Sequence, residues 1–262
     1  MGAYDRVLAA RAKGRPTSVD YINHIFTDFT EMHGDRRFGD DKAVVAGVAM
    51  LGDTPVTVIG LEKGHDIKDK IARNFGSAHP EGYRKALRQM KLAEKFGRPV
   101  ICFVDTSGAY CGVDAESRGQ GEAIAENLYE MMTLKTPVIS IFIGEGGSGG
   151  ALALAVADEV WILSNAFYSV ISPEGCASIL WKDSKKVKEA SECLKLTAED
   201  LYELGAVERI IEENGDFPSV YKNISLLLTE CLEKYQKTKD KEKKLDEMLK
   251  KRYRKFRKIG EL

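Results

Sequence analysis

The chain has 262 residues, of which 44% are hydrophobic, and its 39 Lys and Arg against 40 Asp and Glu leave a net charge of −1. That length suits one large domain or two small ones with a real core. The cancelled charge argues against a global electrostatic footprint for nucleic acid, and no apolar run reaches membrane-spanning length.

The first residues, Met1-Gly-Ala-Tyr-Asp-Arg6, carry no secretory pattern. Arg6 stands where myristoylation wants Ser or Thr. Helical spacing of apolar residues over Val19–Phe26 predicts a helix capped by Thr17 or Ser18. Strand candidates follow at Ala43–Met50 and Val56–Leu61, and residues 63–76 read as a long polar loop. Pro80-Glu81 opens a helix to Phe96, stopped by Gly97. Pro99–Asp105 is strand-like and runs into the loop Thr106–Gly112, with a helix expected from Glu116 to Leu134.

The same order then repeats. Pro137–Ile143 is an apolar strand, residues 144–151 form a glycine-rich bend, and Ala151–Ala157 reads as a helix. Two such strand–loop–helix units predict a mostly parallel sheet covered by helices. Further strands are expected at Val160–Leu163, Tyr168–Ile171 and Ala206–Ile211. Short helices are expected after Pro173-Glu174 and from the capping-box-like Thr197-Ala-Glu-Asp200. From Lys234 to Lys258 there are thirteen Lys or Arg against four Asp or Glu. Leu245, Met248, Leu249, Tyr253 and Phe256 share one helical face there. The charges read as a solvated face or as a basic arm for an acidic partner or nucleic acid.

The five cysteines form no C-x-x-C pair, so reduced thiols and no zinc site are expected on this chain, in a cytoplasmic setting. Cys102 and Cys231 sit in apolar runs and read as core. Met90-Lys91-Leu92 looks like half of a biotin-attachment site, but Lys91 falls inside a strong helix and reads as a surface residue.

Gly146-Gly-Ser-Gly-Gly150 fits the hydrolase elbow G-x-S-x-G, which would make Ser148 a nucleophile. All four histidines precede it, however, whereas that fold needs one afterwards. The bend also lacks the Gly-Lys-Ser/Thr ending of a P-loop. Two readings stay open on the residues alone. Backbone N–H groups at Gly149 and Gly150 form an oxyanion hole, or the glycines serve a tight, closely packed strand-to-helix turn.

Taken together, six stretches resemble one family. They are Asn74-Phe-Gly76, Pro80–Leu87, Asp105-Thr-Ser-Gly-Ala-Tyr110, Arg118-Gly-Gln120 with Glu122-Ala-Ile-Ala125, Gly144–Leu152 and Ser169–Trp181. Over residues 15–215 they are similar, in order and spacing, to the carboxyltransferase alpha subunit of bacterial-type, multi-subunit acetyl-CoA carboxylase.

The resemblance implies an α/β, crotonase-like (ClpP/crotonase) fold of ββα repeats with helical N- and C-terminal extensions. It divides the chain into an N-terminal helical segment (1–34), a carboxyltransferase domain (35–215) and a basic helical extension (216–262). The implied reaction moves a carboxyl group from carboxybiotin, on a biotin carboxyl carrier protein, to acetyl-CoA, giving malonyl-CoA for fatty acid synthesis. The implied partner is a beta subunit, in an α2β2 core, that carries the zinc and most of the CoA site. ATP enters only through a separate biotin carboxylase. By position, Gly149 and Gly150 supply the oxyanion-hole N–H groups, and Gly108, Ala109, Tyr110, Gly146, Gly147 and Ser148 line the substrate and biotin site. Biotin itself can take the acetyl proton, so no side-chain base is required.

One loop departs from the family. Ser107 and Cys111 stand in place of two prolines, and Ser117 in place of a glutamate, so a looser loop is expected. Two alternatives remain: a self-sufficient crotonase-fold acyl-CoA hydratase or hydrolase, and a binding protein using the basic arm on nucleic acid.

Overall fold

The computed structural model describes residues 1–236 and 241–260. The strands are β1 (Thr27–Glu31), β2 (Val44–Leu51), β3 (Thr54–Leu61), β4 (Val100–Thr106), β5 (Val138–Gly147), β6 (Glu159–Leu163), β7 (Phe167–Ser169) and β8 (Arg209–Ile211). They form one sheet in the order β1-β2-β3-β4-β5-β6-β8, with β7 branching from β5. β1 to β3 pair antiparallel and every later pairing is parallel. All seven residues of β4 are buried, as expected of a parallel strand covered on both faces.

The helices are α1 (Ala3–Ala10), α2 (Ser18–Ile25), α3 (Ile67–Ala72), α4 (Pro80–Phe96), α5 (Val113–Ser117), α6 (Gln120–Thr133), α7 (Ser148–Leu152), α8 (Pro173–Trp181), α9 (Val187–Cys193), α10 (Ala198–Glu203), α11 (Phe217–Gln236) and α12 (Lys241–Lys258). α4 has the predicted ends, with Pro80 in its first turn and Gly97 left-handed at its C-cap. Thr17 is the N-cap of α2, and its N–H donates to Asp20. Ser18 instead donates to the Leu61 carbonyl at 2.6 Å and ties α2 to β3. One strand–strand–helix unit, β2-β3-α4, is complete, and β4 and β5 each lead into helices.

Several expectations need correction. Residues 63–76 are not a plain loop: Asp66 caps α3, and a 3-10 turn covers Asn74–Gly76. The helix expected over 116–134 is two, because Gly119 is left-handed (φ 83°) between α5 and α6. The helix after the bend starts at Ser148 rather than Ala151 and is only five residues long, because β5 runs on to Gly147. β7 and β8 are shorter than predicted. Cys102 and Cys231 are buried, as expected.

The basic C-terminal segment is helical, although residues 237–240 of the predicted tail lie outside the described residues. α12 is docked rather than free. Arg252 is 1% exposed. Its guanidinium donates to the carbonyls of Met131, Leu134 and Thr136 and to both oxygens of Asp158. Met131 and Leu134 close α6, so Arg252 supplies donors to that helix end. Tyr253, expected on the apolar face, is exposed.

Candidate active site

Two loops at the C-terminal ends of β4 and β5 meet here. Residues Val104 to Thr106 on β4 stand opposite Phe142 to Gly146 on β5, so β5 carries a bulge at this point. The Glu145 N–H turns to the Asp105 carboxylate, 2.8 Å away.

Glycines sit where the two loops touch. A Cβ on Gly144 would lie 2.4 Å from Asp105 Oδ1, and one on Gly147 would lie 2.2 Å from the carbonyl of Ser107. A Cβ on Gly150 would lie 2.4 Å from the Ala109 nitrogen and 2.9 Å from Tyr83 Oη. Residues 144, 147 and 150 therefore admit the 105–109 loop at successive steps, so close packing accounts for these three glycines. Gly146 is buried between the Phe142 ring and the Phe167 carbonyl.

Gly149 is different. A Cβ there would meet only Ile124, at 3.8 Å, and one on Gly108 would meet nothing within 4 Å. Backbone is thus accessible on both loops. Ser148 is exposed and left-handed, with φ 49°. A left-handed residue followed by helical ones makes successive N–H groups converge, which favours an anionic oxygen. The first-turn N–H groups of α7 also have no carbonyl partner within their own helix.

The loop that lacks its prolines is held by other means. Thr106 Oγ1 donates to the Gly108 carbonyl at 2.8 Å and accepts from its N–H at 3.1 Å. The Tyr110 N–H donates to the Ala78 carbonyl at 3.0 Å. Gln120 Nε2 donates to the carbonyls of Ala78 (2.8 Å) and Tyr110 (2.9 Å). Arg118 pairs with the buried Glu81 at 2.7 Å. Gln120 of the Arg-Gly-Gln motif therefore braces the loop from outside, while Arg118 ties the end of α5 to α4.

Behind the bend lies an ionic chain that sequence reasoning missed. Lys63 Nζ stands 2.8 Å from Asp105 and 2.6 Å from Glu145, and Arg11 reaches the other Glu145 oxygen at 2.6 Å. Burial opposes ionisation of Glu145, but the two cations hold its pKa below the ordinary value. Burial likewise works against charge on Lys63, and the two carboxylates outweigh it and raise its pKa. These groups line a cavity of about 600 Å³ that reaches Ser107 and Phe75. Among the described residues, no cluster of His, Cys, Asp or Glu is arranged to hold a metal ion.

A family model described as acetyl co-enzyme A carboxylase carboxyltransferase-like matches residues 1–260. The chain belongs to this family. The match is wider than the 15–215 of the sequence motifs and takes in both terminal segments.

Curated relatives agree. The chain is 67% identical over 261 residues to the acetyl-coenzyme A carboxylase carboxyl transferase subunit alpha of Ruminiclostridium cellulolyticum, covering 99% of this chain and 98% of that one. It is 58% identical over 250 residues to the subunit of the same name from Streptococcus equi subsp. zooepidemicus, covering 95% and 96%.

Solved structures show the expected crotonase-like carboxyltransferase fold. Transcarboxylase 12S superposes with a TM-score of 0.72 at 20% identity, over 91% of this chain and 45% of that one. The beta subunit of Pseudomonas aeruginosa geranyl-CoA carboxylase gives 0.66 at 15% identity, over 88% and 45%. This chain therefore spans about half the length of each. The Pseudomonas malonate decarboxylase hetero-tetramer gives 0.63 at 16% identity, over 82% and 86%.

Proposed function

We propose that this chain is the alpha half of a biotin-dependent carboxyltransferase. With a beta subunit it moves a carboxyl group from carboxybiotin to acetyl-CoA, giving malonyl-CoA for fatty acid synthesis in the cytoplasm. One observation carries the reading: Gly149 offers unshielded backbone beside the open backbone of Gly108, where two glycine-rich loops cross.

A ureido ring fits such a place, because flat backbone admits a ring edge and N–H groups meet its oxygen. Carboxybiotin supplies the transferable CO2 unit and an oxygen on which negative charge grows as that unit leaves. The donors for that charge are the N–H groups of Gly149 and Gly150, fixed before the reaction. Gly108, Ala109, Tyr110 and Ser148 bound the ring, and Gly146 and Gly147 hold the bend in place. Residues 35–215 carry most of this chemistry; residues 1–34 add β1 to its sheet and Arg11 to its ionic chain, and α11 and α12 act as helical supports.

The half-site reading is supported by the relatives, whose names make them subunit alpha of a carboxyl transferase. Val170, Ile179 and Leu180 are exposed around α8, directly after β7. Exposed apolar side chains at both ends of α8 suit a partner, and the beta subunit, in an α2β2 core, is the one proposed. That subunit would bring zinc and most of the CoA site. A biotin carboxyl carrier protein and a biotin carboxylase would deliver the carboxylated group. The docking of α12 leaves the nucleic-acid reading without specific support.

The test is biotin-dependent decarboxylation of malonyl-CoA by the chain alone and by the chain with its beta subunit. Activity only in the mixture supports the proposal. Turnover by the chain alone would favour a self-sufficient acyl-CoA enzyme. No activity in an assembled mixture would overturn it.

A further inference from the structure

His79 is the N-cap of α4. Its side chain is 17% exposed and its ring stacks on Tyr110, with centroids 4.1 Å apart and planes 25° from parallel. Tyr110 is confined elsewhere too, since a Cβ on Gly112 would lie 2.3 Å from its Cε1. Glycine at 112 thus leaves room for the ring that stacks on the imidazole.

The imidazole is itself held. The Asn74 amide nitrogen lies 3.1 Å from His79 Nδ1, where its N–H can donate to the ring. The backbone N–H of His79 donates to the buried Asp41 at 2.6 Å. Asp41 and Asp114 are the carboxylates nearest the ring, at 3.8 and 3.9 Å. Asn74 and Phe75 are both left-handed, with φ 47° and 54°. Two successive non-glycine residues in that region are strained, and such strain gathers where a fixed geometry is needed. Here the turn delivers the Asn74 amide to His79.

We infer that His79 is a positioning residue. Its ring, oriented by Asn74, is the platform that fixes Tyr110 in the loop meeting Gly147 and Gly150. The inference rests on reading Tyr110 as part of the biotin site. Removing the platform lets Tyr110 leave its binding orientation, and apparent affinity falls by the fraction lost. An aromatic stack is worth up to about tenfold in such an equilibrium.

The experiment uses the assembled complex of this chain with its beta subunit, following carboxyl transfer from malonyl-CoA to free biotin. His79→Ala should raise KM for biotin by up to about tenfold and lower kcat by less. His79→Phe keeps a stacking ring and should return KM to within about threefold of the parent. Asn74→Ala should fall between them. The inference is overturned if His79→Phe is as impaired as His79→Ala. It is overturned also if His79→Ala leaves KM in place while Tyr110→Ala raises it. If Tyr110→Ala itself leaves KM unchanged, the reading of the site fails, and the role of His79 with it.

Discussion

The amide nitrogen of Ala109 occupies the space a side chain on Gly150 would need, 2.4 Å from that ideal Cβ. The two loops of the site therefore touch backbone to backbone. Gly150→Ala should push the 108–110 loop aside, lower stability by about 1–3 kcal/mol through overpacking, and abolish most activity. Gly149→Ala meets only Ile124 at 3.8 Å, so its thermal midpoint should stay near that of the parent. Thermal unfolding of both variants checks this, and equal losses would refute the asymmetry.

Arg252 and Asp158 form a buried ion pair at 2.6 Å, with side chains 0% and 4% exposed. Deleting one member strands the other. Arg252→Met should cost about 3–5 kcal/mol in urea unfolding. Changing Lys251, which is exposed on the same helix, should cost within about 0.5 kcal/mol. A cost below about 1 kcal/mol for Arg252→Met would show that α12 is not held as described.

Asp35 predicts an acid-side loss of stability. Burial alone would raise its pKa, but the N–H groups of Phe38, Arg37 and Gly39 and the Arg84 guanidinium bring it to about 2. The folded pKa is thus below the unfolded value of roughly 3.9. The stabilisation is full above the unfolded pKa and disappears as pH falls from about 4 to about 2. Asp35→Asn should lower stability by about 2 kcal/mol at neutral pH and flatten the acid limb of the pH profile. An unchanged limb would remove Asp35 from the account.

Lys63 bridges Asp105 and Glu145, so Lys63→Met leaves Asp105 without its cation while Glu145 keeps Arg11. We expect a loss of about 3 kcal/mol and a displaced Ser107 loop. Replacing Asp105 by Asn in the same chain should cost less than the sum of the two single changes. Additive losses in this double-mutant cycle would mean the pair is not coupled.

What the sequence made legible follows from local rules. Pro80 and Gly97 bound α4 because each acts on its own backbone. The Pro-Val-Ile starts at 99 and 137 mark parallel strands through unbroken apolar runs. β1 has no sequence signal, because Thr27–Glu31 lacks apolar alternation and is mostly exposed. The break at Gly119 was readable as an isolated glycine in a helical run, yet periodicity on both sides outweighed it. In the bend, chemistry and packing predict the same residues. Only the neighbours separate Gly149, which is open, from Gly144, Gly147 and Gly150, which are filled by another loop. The burial of Arg252 has no local signal, since its partners lie at the end of α6 and just before β5 and β6.

The most direct test of the central claim removes one N–H without adding a side chain. An amide-to-ester replacement at Gly150, made by semisynthesis, would be assayed in the assembled complex with its beta subunit for malonyl-CoA formation. A loss of roughly 10²–10³ in kcat, with assembly intact and KM little changed, is the predicted result. A kcat within about threefold of the parent would contradict the oxyanion role and leave Gly144, Gly147 and Gly150 as packing alone.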